Sequence, residues 1–122
     1  MTIQKMREEM FRLIAETWEG DYAFLHIHGK DVLEDTKVPR LYYLSDCPCS
    51  IDTLLAGLPV PMKAWVTPSV LEKDAWWGRW SLLEHQSHHN TVDDTLPRPE
   101  AHAQAALAAV KWSIEQWKEK NG

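Results

Sequence analysis

The side chains best suited to metal chemistry are grouped in two short stretches of the chain. EHQSHHN spans residues 84–90, and YAFLHIH spans residues 22–28. Neutral imidazole is a good zinc ligand, and three protein ligands plus a water molecule form the usual hydrolytic zinc site. One hypothesis is therefore a metal-dependent hydrolase or nuclease. Its candidate ligands are His26, His28, His85, His88 and His89.

The spacing of these histidines favours a different interpretation. The two groups are far apart in the chain, no helical His-Glu-x-x-His motif occurs, and a polar connecting segment commonly contains histidine. No P-loop, Gly-x-Ser-x-Gly elbow or dinucleotide glycine motif is present either. We therefore expect solvated or hydrogen-bonded histidines, no catalytic residues and no cofactor, and keep the metal site as the alternative.

Cys47 and Cys49 are separated by Pro48 alone. Redox pairs and most zinc knuckles place two residues between their cysteines, and reduced cysteine usually behaves as a small buried apolar side chain. We expect two buried thiols at the start of a helix.

Tryptophan is unusually frequent, with seven residues in the chain, and the stretch AWWGRW concentrates three of them. On a strand, Trp76 and Trp80 share one face, and Trp77 and Arg79 share the other. Tryptophan and arginine are enriched in binding hot spots. These four residues are the predicted partner-binding site. The sequence leaves open whether helices cover both faces of that strand.

Hydrophobic periodicity predicts the elements that must position these side chains. Apolar residues at three- and four-residue steps indicate helices, and alternating apolar residues indicate strands. In chain order, the predicted elements are a helix at 2–19, strands at 22–28 and 38–44, a short helix near 48–57, strands at 62–67 and 76–84, and a helix at about 98–120. Residues 29–37 are expected to form a long polar turn, across which strands 22–28 and 38–44 could pair as a hairpin. Residues 85–96 are expected to form a loop.

The order α-β-β-α-β-β-α predicts an α+β fold, with one antiparallel sheet of about four strands covered by helices. A chain of 122 residues suits a single domain, 1–122. Its helical stripes and its tryptophan-bearing strand faces all need apolar cover. The alanines of the last helix would allow that helix to approach the sheet closely.

Charge and hydropathy narrow the choice of partners. The chain has 18 acidic and 13 basic residues, and the basic ones are scattered. This argues against direct nucleic-acid binding and suits a protein partner with a basic surface. No apolar run is long enough for a signal or a membrane span, so we expect a cytoplasmic protein that does not enter membranes. Strand edges and the alanine-rich face leave a homodimer open.

Three stretches in the second half of the chain together resemble a known protein family. They are YYLSD before a short helix, AWWGRW in a strand, and PRPEAHAQAALAAV in the closing helix. Over residues 42–117 the chain thereby resembles the phage ABA-sandwich family. The resemblance implies an origin in phage or prophage and brings no established catalytic residues.

The leading functional hypothesis is a non-catalytic binding protein of phage or prophage type that blocks or sequesters a partner. An inhibitor of a bacterial defence system is one example. An immunity protein that neutralises a toxin would show the same acidic composition.

Overall fold

A computed structural model describes residues 2–45 and 47–121, which form helices and antiparallel strands in the order α-β-β-β-α-β-β-β-α. Strands β1, β2 and β3 form sheet A, and β4, β5 and β6 form sheet B. The predicted α+β class and antiparallel pairing are confirmed. The elements are α1 (Ile3–Thr17), β1 (Tyr22–Ile27), β2 (Lys30–Asp35), β3 (Arg40–Tyr43), α2 (Pro48–Ala56), β4 (Met62–Pro68), β5 (Trp76–Leu82), β6 (His89–Asn90) and α3 (Arg98–Asn121).

Helix α1 forms where the apolar stripe predicts it. Thr2 is the N-cap, and its hydroxyl accepts a hydrogen bond from the backbone N–H of Lys5 at 3.2 Å. This bond satisfies one of the N–H groups that the first turn leaves without a partner. Gly20, at φ +95°, turns the chain towards β1. The buried stripe consists of Met6, Met10, Phe11 and Ile14.

Strand β2 lies where the charged stretch KDVLED predicted a long turn. Two residues, His28 at φ +50° and Gly29 at φ +75°, reverse the chain between β1 and β2. Positive φ at both central positions is the geometry of a tight hairpin turn. β1 therefore pairs with β2, and β3 pairs with β2 rather than with β1. The sequence does not indicate β2 as a strand, because four of its six residues are charged. Its two apolar residues, Val32 and Leu33, are adjacent and point to opposite faces, so no apolar alternation is visible.

Strand β6 was also unexpected, since residues 85–96 were predicted to be a loop. His89 pairs with Trp80, and Asn90 pairs with Arg79. Beyond the strand, the Thr91 N–H donates to the Gly78 carbonyl at 2.9 Å. Residues 2–45 and 47–121 thus contain six strands in two sheets, where about four strands in one sheet were expected. The two additional strands, β2 and β6, are polar, and such strands can pair when a neighbouring strand offers its edge.

Helix α3 is the centre of the molecule. It packs against α1 on one side and against β4 and β5 on another, and α1 in turn packs against β1 and β2. The layer order is sheet A, α1, α3, sheet B. Because α3 is enclosed on several sides, most of its small residues are buried: Ala101, Ala103, Ala105, Ala106 and Ala109. The expected close approach of α3 to a sheet is therefore confirmed.

Helix α2 packs beside α3 and against β4. His102 of α3 is buried and its Nε2 lies 3.0 Å from Asp52 Oδ1 of α2. The predicted helix near 48–57 is confirmed, and Pro48 lies in its first turn. The expected burial of Cys47 and Cys49 is wrong, since both thiols are exposed at the solvent side of this turn.

Asp46, the acidic residue of the YYLSD stretch, lies outside the described residues. Within the described part of the chain, none of the helices has the length and apolar character needed to cross a membrane.

Candidate partner-binding site

The face of sheet B that points away from α3 brings together aromatic and basic side chains of β4, β5 and the residue before β6. It is called the outer face of sheet B below. Alternate residues of β4 and β5 form it, and the register sets Trp65 opposite Arg79 and Thr67 opposite Trp77. His88, which directly precedes β6, lies over the same surface. Its aromatic and basic side chains are Lys63, Trp65, Trp77, Arg79 and His88, and Thr67, Ser81 and Asn90 point to the same side.

Helix α3 covers only the opposite face of the sheet. A Cβ atom on Gly78 would lie 2.7 Å from the Ala101 carbonyl oxygen and 2.9 Å from the Ala105 Cβ, so the helix lies directly on that face. Among the described residues no helix packs over the outer face, because the buried residues of α2 share a core cluster with Met62 and Ala64, which point to the α3 side of β4. Trp65 and Trp77 are consequently half-buried by their neighbours alone and keep part of each ring in solvent.

Arg79 is held in place at the middle of this surface. Its Nε donates to the Thr67 hydroxyl at 3.1 Å, and its Nη1 lies 2.6 Å from His88 Nε2. Because a guanidinium group only donates, His88 accepts this bond through an unprotonated Nε2. The guanidinium carbon lies 5.4 Å from the ring centroid of Trp77. The guanidinium has five N–H groups, and three of them have no partner in the described part of the chain.

The two tryptophans of the outer face are also fixed by their neighbours. The indole N–H of Trp77 donates to the Thr91 carbonyl beyond β6. The Trp65 ring lies edge-on to His88, with centroids 5.7 Å apart, and Lys63 Nζ lies 5.6 Å from the Trp65 centroid. Rings held in this way lose little conformational entropy when a partner covers them, which favours binding.

The electrostatic character of sheet B differs from that of the whole chain. Its three strands contain two of the 13 basic residues, Lys63 and Arg79, and none of the 18 acidic residues. Both cations project from the outer face. A cationic, aromatic surface therefore lies on a protein whose formal net charge is −5.

The loop that follows β6 is stiffened by Asp93. Its Oδ1 accepts hydrogen bonds from the Thr95 hydroxyl at 2.6 Å and from the Thr95 N–H at 2.8 Å. These bonds favour the ionised carboxylate and lower the pKa of Asp93. The loop carries the Thr91 carbonyl that anchors Trp77, so this turn supports one edge of the outer face.

The structure divides the four predicted site residues between the two faces of β5. Trp77 and Arg79 lie on the outer face, as the strand alternation predicts. Trp76 lies on the α3 side, where the Arg98 guanidinium is 4.8 Å from its ring centroid. Trp80 also lies on that side and stacks on His89 at 5.5 Å. We therefore restrict the candidate site to the Trp77 and Arg79 side.

Three members of the outer face, Lys63, Trp65 and Thr67, were not among the predicted site residues. The alternation of MKAWVT places them on one face of a strand, but only the pairing of β4 with β5 puts that face beside Arg79. His88 was a candidate metal ligand, and the structure instead makes it a hydrogen-bond acceptor for Arg79.

The five candidate metal ligands are spread over both sheets. His26 Nδ1 lies 2.8 Å from Asp31 Oδ1 on sheet A, and His28 lies outside β1 in the following turn. His85 is near Ser87, and His89 lies on the α3 side of sheet B. Within residues 2–45 and 47–121, no group of three or more His, Cys, Asp or Glu side chains could hold a metal ion.

Comparison of the chain with protein-family models, with curated proteins and with solved structures finds no match. The candidate site is therefore defined by its own geometry, a rigid array of indole rings around an arginine with free donors.

Proposed function

We propose that this protein is a non-catalytic binding protein that captures a partner on the outer face of sheet B. The observation that carries the proposal is that no helix of the described residues covers this sheet face, although it holds Trp65, Trp77 and Arg79. Burial of a tryptophan ring stabilises an interface strongly, and central tryptophan and arginine residues commonly dominate binding energy.

The partner segment that fits this face is an acidic stretch of a protein. Arg79 offers N–H groups in the fork geometry that pairs with a carboxylate, and Lys63 adds a second positive charge beside Trp65. The partner with a basic surface that net charge suggests would meet these cations unfavourably. A partner with a basic surface would instead fit the remaining, acidic surface of the protein.

The biological role that we propose is to block or sequester the partner. An inhibitor of a bacterial defence system is the form of this role that the resemblance to the phage ABA-sandwich family supports. An immunity protein against a toxin would use the same surface in the same way.

The binding proposal is tested with labelled short peptides and fluorescence anisotropy. One peptide alternates aspartate or glutamate with aromatic residues, and a second replaces every acidic residue by lysine. We expect the acidic peptide to bind and the basic peptide not to bind. Trp77→Ala and Arg79→Ala should each weaken binding by at least tenfold, because each removes an anchor at the centre of the face.

The matched control is Arg12→Ala. Arg12 also lies over an aromatic ring, that of Phe24 at 5.7 Å, but on the far side of the molecule. This variant should bind the acidic peptide like the unchanged protein. Equal binding of both peptides, or unchanged binding of the acidic peptide by Trp77→Ala, would refute the proposed site. If a labelled single-stranded oligonucleotide bound more tightly than the acidic peptide in the same assay, the partner would be a nucleic acid and not a protein.

A further inference from the structure

Sheet A has an uncovered face of its own, and it is apolar. Helix α1 packs on one face of the sheet, where Tyr22, Leu33 and Tyr42 join the main core. In the described part of the chain no helix covers the other face, which is called the outer face of sheet A below. Its apolar side chains are Ala23, Leu25, Ile27, Val32, Leu41 and Tyr43.

Val32 is the centre of this face. Its side chain is fully buried, although it is not part of the main core cluster. The residues paired with it across the strands are Leu25 and Tyr43. The surrounding side chains remain accessible, with Leu41 39% and Tyr43 36% exposed. The face is thus a small apolar patch with a closed centre.

Two opposite charges flank this centre on β2. Lys30 and Glu34 point to the same face as Val32, two residues before it and two residues after it. Each therefore lies about 7 Å from Val32 along the strand. In residues 2–45 and 47–121, neither Lys30 nor Glu34 has an ion-pair partner.

We propose that the outer face of sheet A binds a second copy of this chain across a two-fold axis. An axis that lies in the interface, perpendicular to β2 at Val32, reverses the strand direction in the second copy. It sets Lys30 of each copy against Glu34 of the other, so both pairs form in one symmetric contact. The arrangement +, apolar, − along β2 is self-complementary, and this selects a second copy as the occupant.

The size of the face sets the strength of the dimer. Three strands about 4.8 Å apart, two with six residues and β3 with four, cover an area of at most roughly 14 by 20 Å. With side-chain relief, two such faces bury on the order of 1,000 Å² in total, near the lower limit of specific interfaces. An interface of this size suits a weak, reversible dimer. The alanine-rich face of α3 does not serve as an interface because it is buried inside the monomer.

Sedimentation velocity over the micromolar range tests the dimer and its symmetry together. The unchanged chain should show a concentration-dependent monomer-dimer equilibrium. Lys30→Glu gives each face two negative charges, and Glu34→Lys gives each face two positive charges. Either variant alone should raise the dissociation constant of the dimer about tenfold or more, because both cross-pairs become repulsive.

Mixing the two variants provides the decisive measurement. A Lys30→Glu chain and a Glu34→Lys chain oppose unlike charges at both positions, so the mixture should form a heterodimer as tight as the original homodimer. The control variants are Glu115→Lys and Lys120→Glu, exposed positions of α3, which should leave the dimer unchanged.

A monomer at all concentrations would overturn the proposal. Dimers that persist in both single variants would also overturn it, since they would use another surface. A mixture that stays monomeric would overturn the two-fold arrangement. Circular dichroism confirms that each variant is folded, and both substituted side chains are solvent-accessible.

Discussion

The substitution Gly78→Ala tests the contact between α3 and sheet B, on which the whole arrangement of the binding face depends. A Cβ atom at this position would meet three atoms at less than 3.0 Å: the Ala101 carbonyl oxygen at 2.7 Å, the Ala105 Cβ at 2.9 Å and the Thr91 Cγ2 at 2.9 Å. The first belongs to the helix backbone, so the methyl group fits only if α3 moves away from β5. Such a movement opens the packed core beside it.

The expected loss of stability follows from two opposing contributions. Overpacking at a rigid contact costs about 3 kcal/mol, the upper part of the usual range. Replacing glycine by alanine within a strand returns about 0.5–1 kcal/mol, since the unfolded chain loses backbone freedom. The free energy of unfolding should therefore fall by about 2 kcal/mol, which lowers the melting temperature of a domain of this size by about 6–10 °C.

Urea unfolding followed by tryptophan fluorescence measures this loss, with Gly57→Ala as the matched control. Gly57 has φ −91°, and a Cβ there would lie 3.5 Å from the nearest carbonyl oxygen, an ordinary contact. The control should raise the free energy of unfolding by up to about 1 kcal/mol, because it gains the same backbone contribution without any overpacking. Equal stability of the two variants would refute the close approach of α3.

Two further predictions concern buried polar groups. Asp52→Ala should lower the free energy of unfolding by about 1 kcal/mol, since the buried His102 ring loses the carboxylate 3.0 Å from its Nε2. Urea titration measures this loss. The control Glu115→Ala, at an exposed acidic position of α3, should have no such effect. Burial, followed by the nearby Asp35, raises the pKa of Tyr22 well above its ordinary value of 10.0, so the neutral phenol is favoured in the folded state. Stability from this group is therefore complete below pH 10 and is lost as the pH rises further, when tyrosine ionises first in the unfolded chain. An absorbance titration should show a late tyrosine ionisation that Tyr22→Phe removes. A titration curve whose late part is unchanged in Tyr22→Phe would contradict the burial.

The local elements were accessible from the sequence because their signals are local. The apolar stripe of α1, the cap at Thr2 and the proline at the start of α2 each act within a few residues of chain. The alternation in β5 likewise predicted that Trp77 and Arg79 share a face. The strands β2 and β6 were missed because both are polar, and their pairing depends on an edge that a distant or adjacent strand supplies.

The sequence by itself determined the helices, the aromatic strand and the side of it on which Trp77 and Arg79 lie, since backbone periodicity fixes those directions. Only the tertiary structure decided which side of each sheet the helices cover, and it placed Trp65, Thr67 and His88 around Arg79. The reason is that strand register and helix packing join residues from separate parts of the chain, and the contacts that select one arrangement exist only when all of those parts are in place.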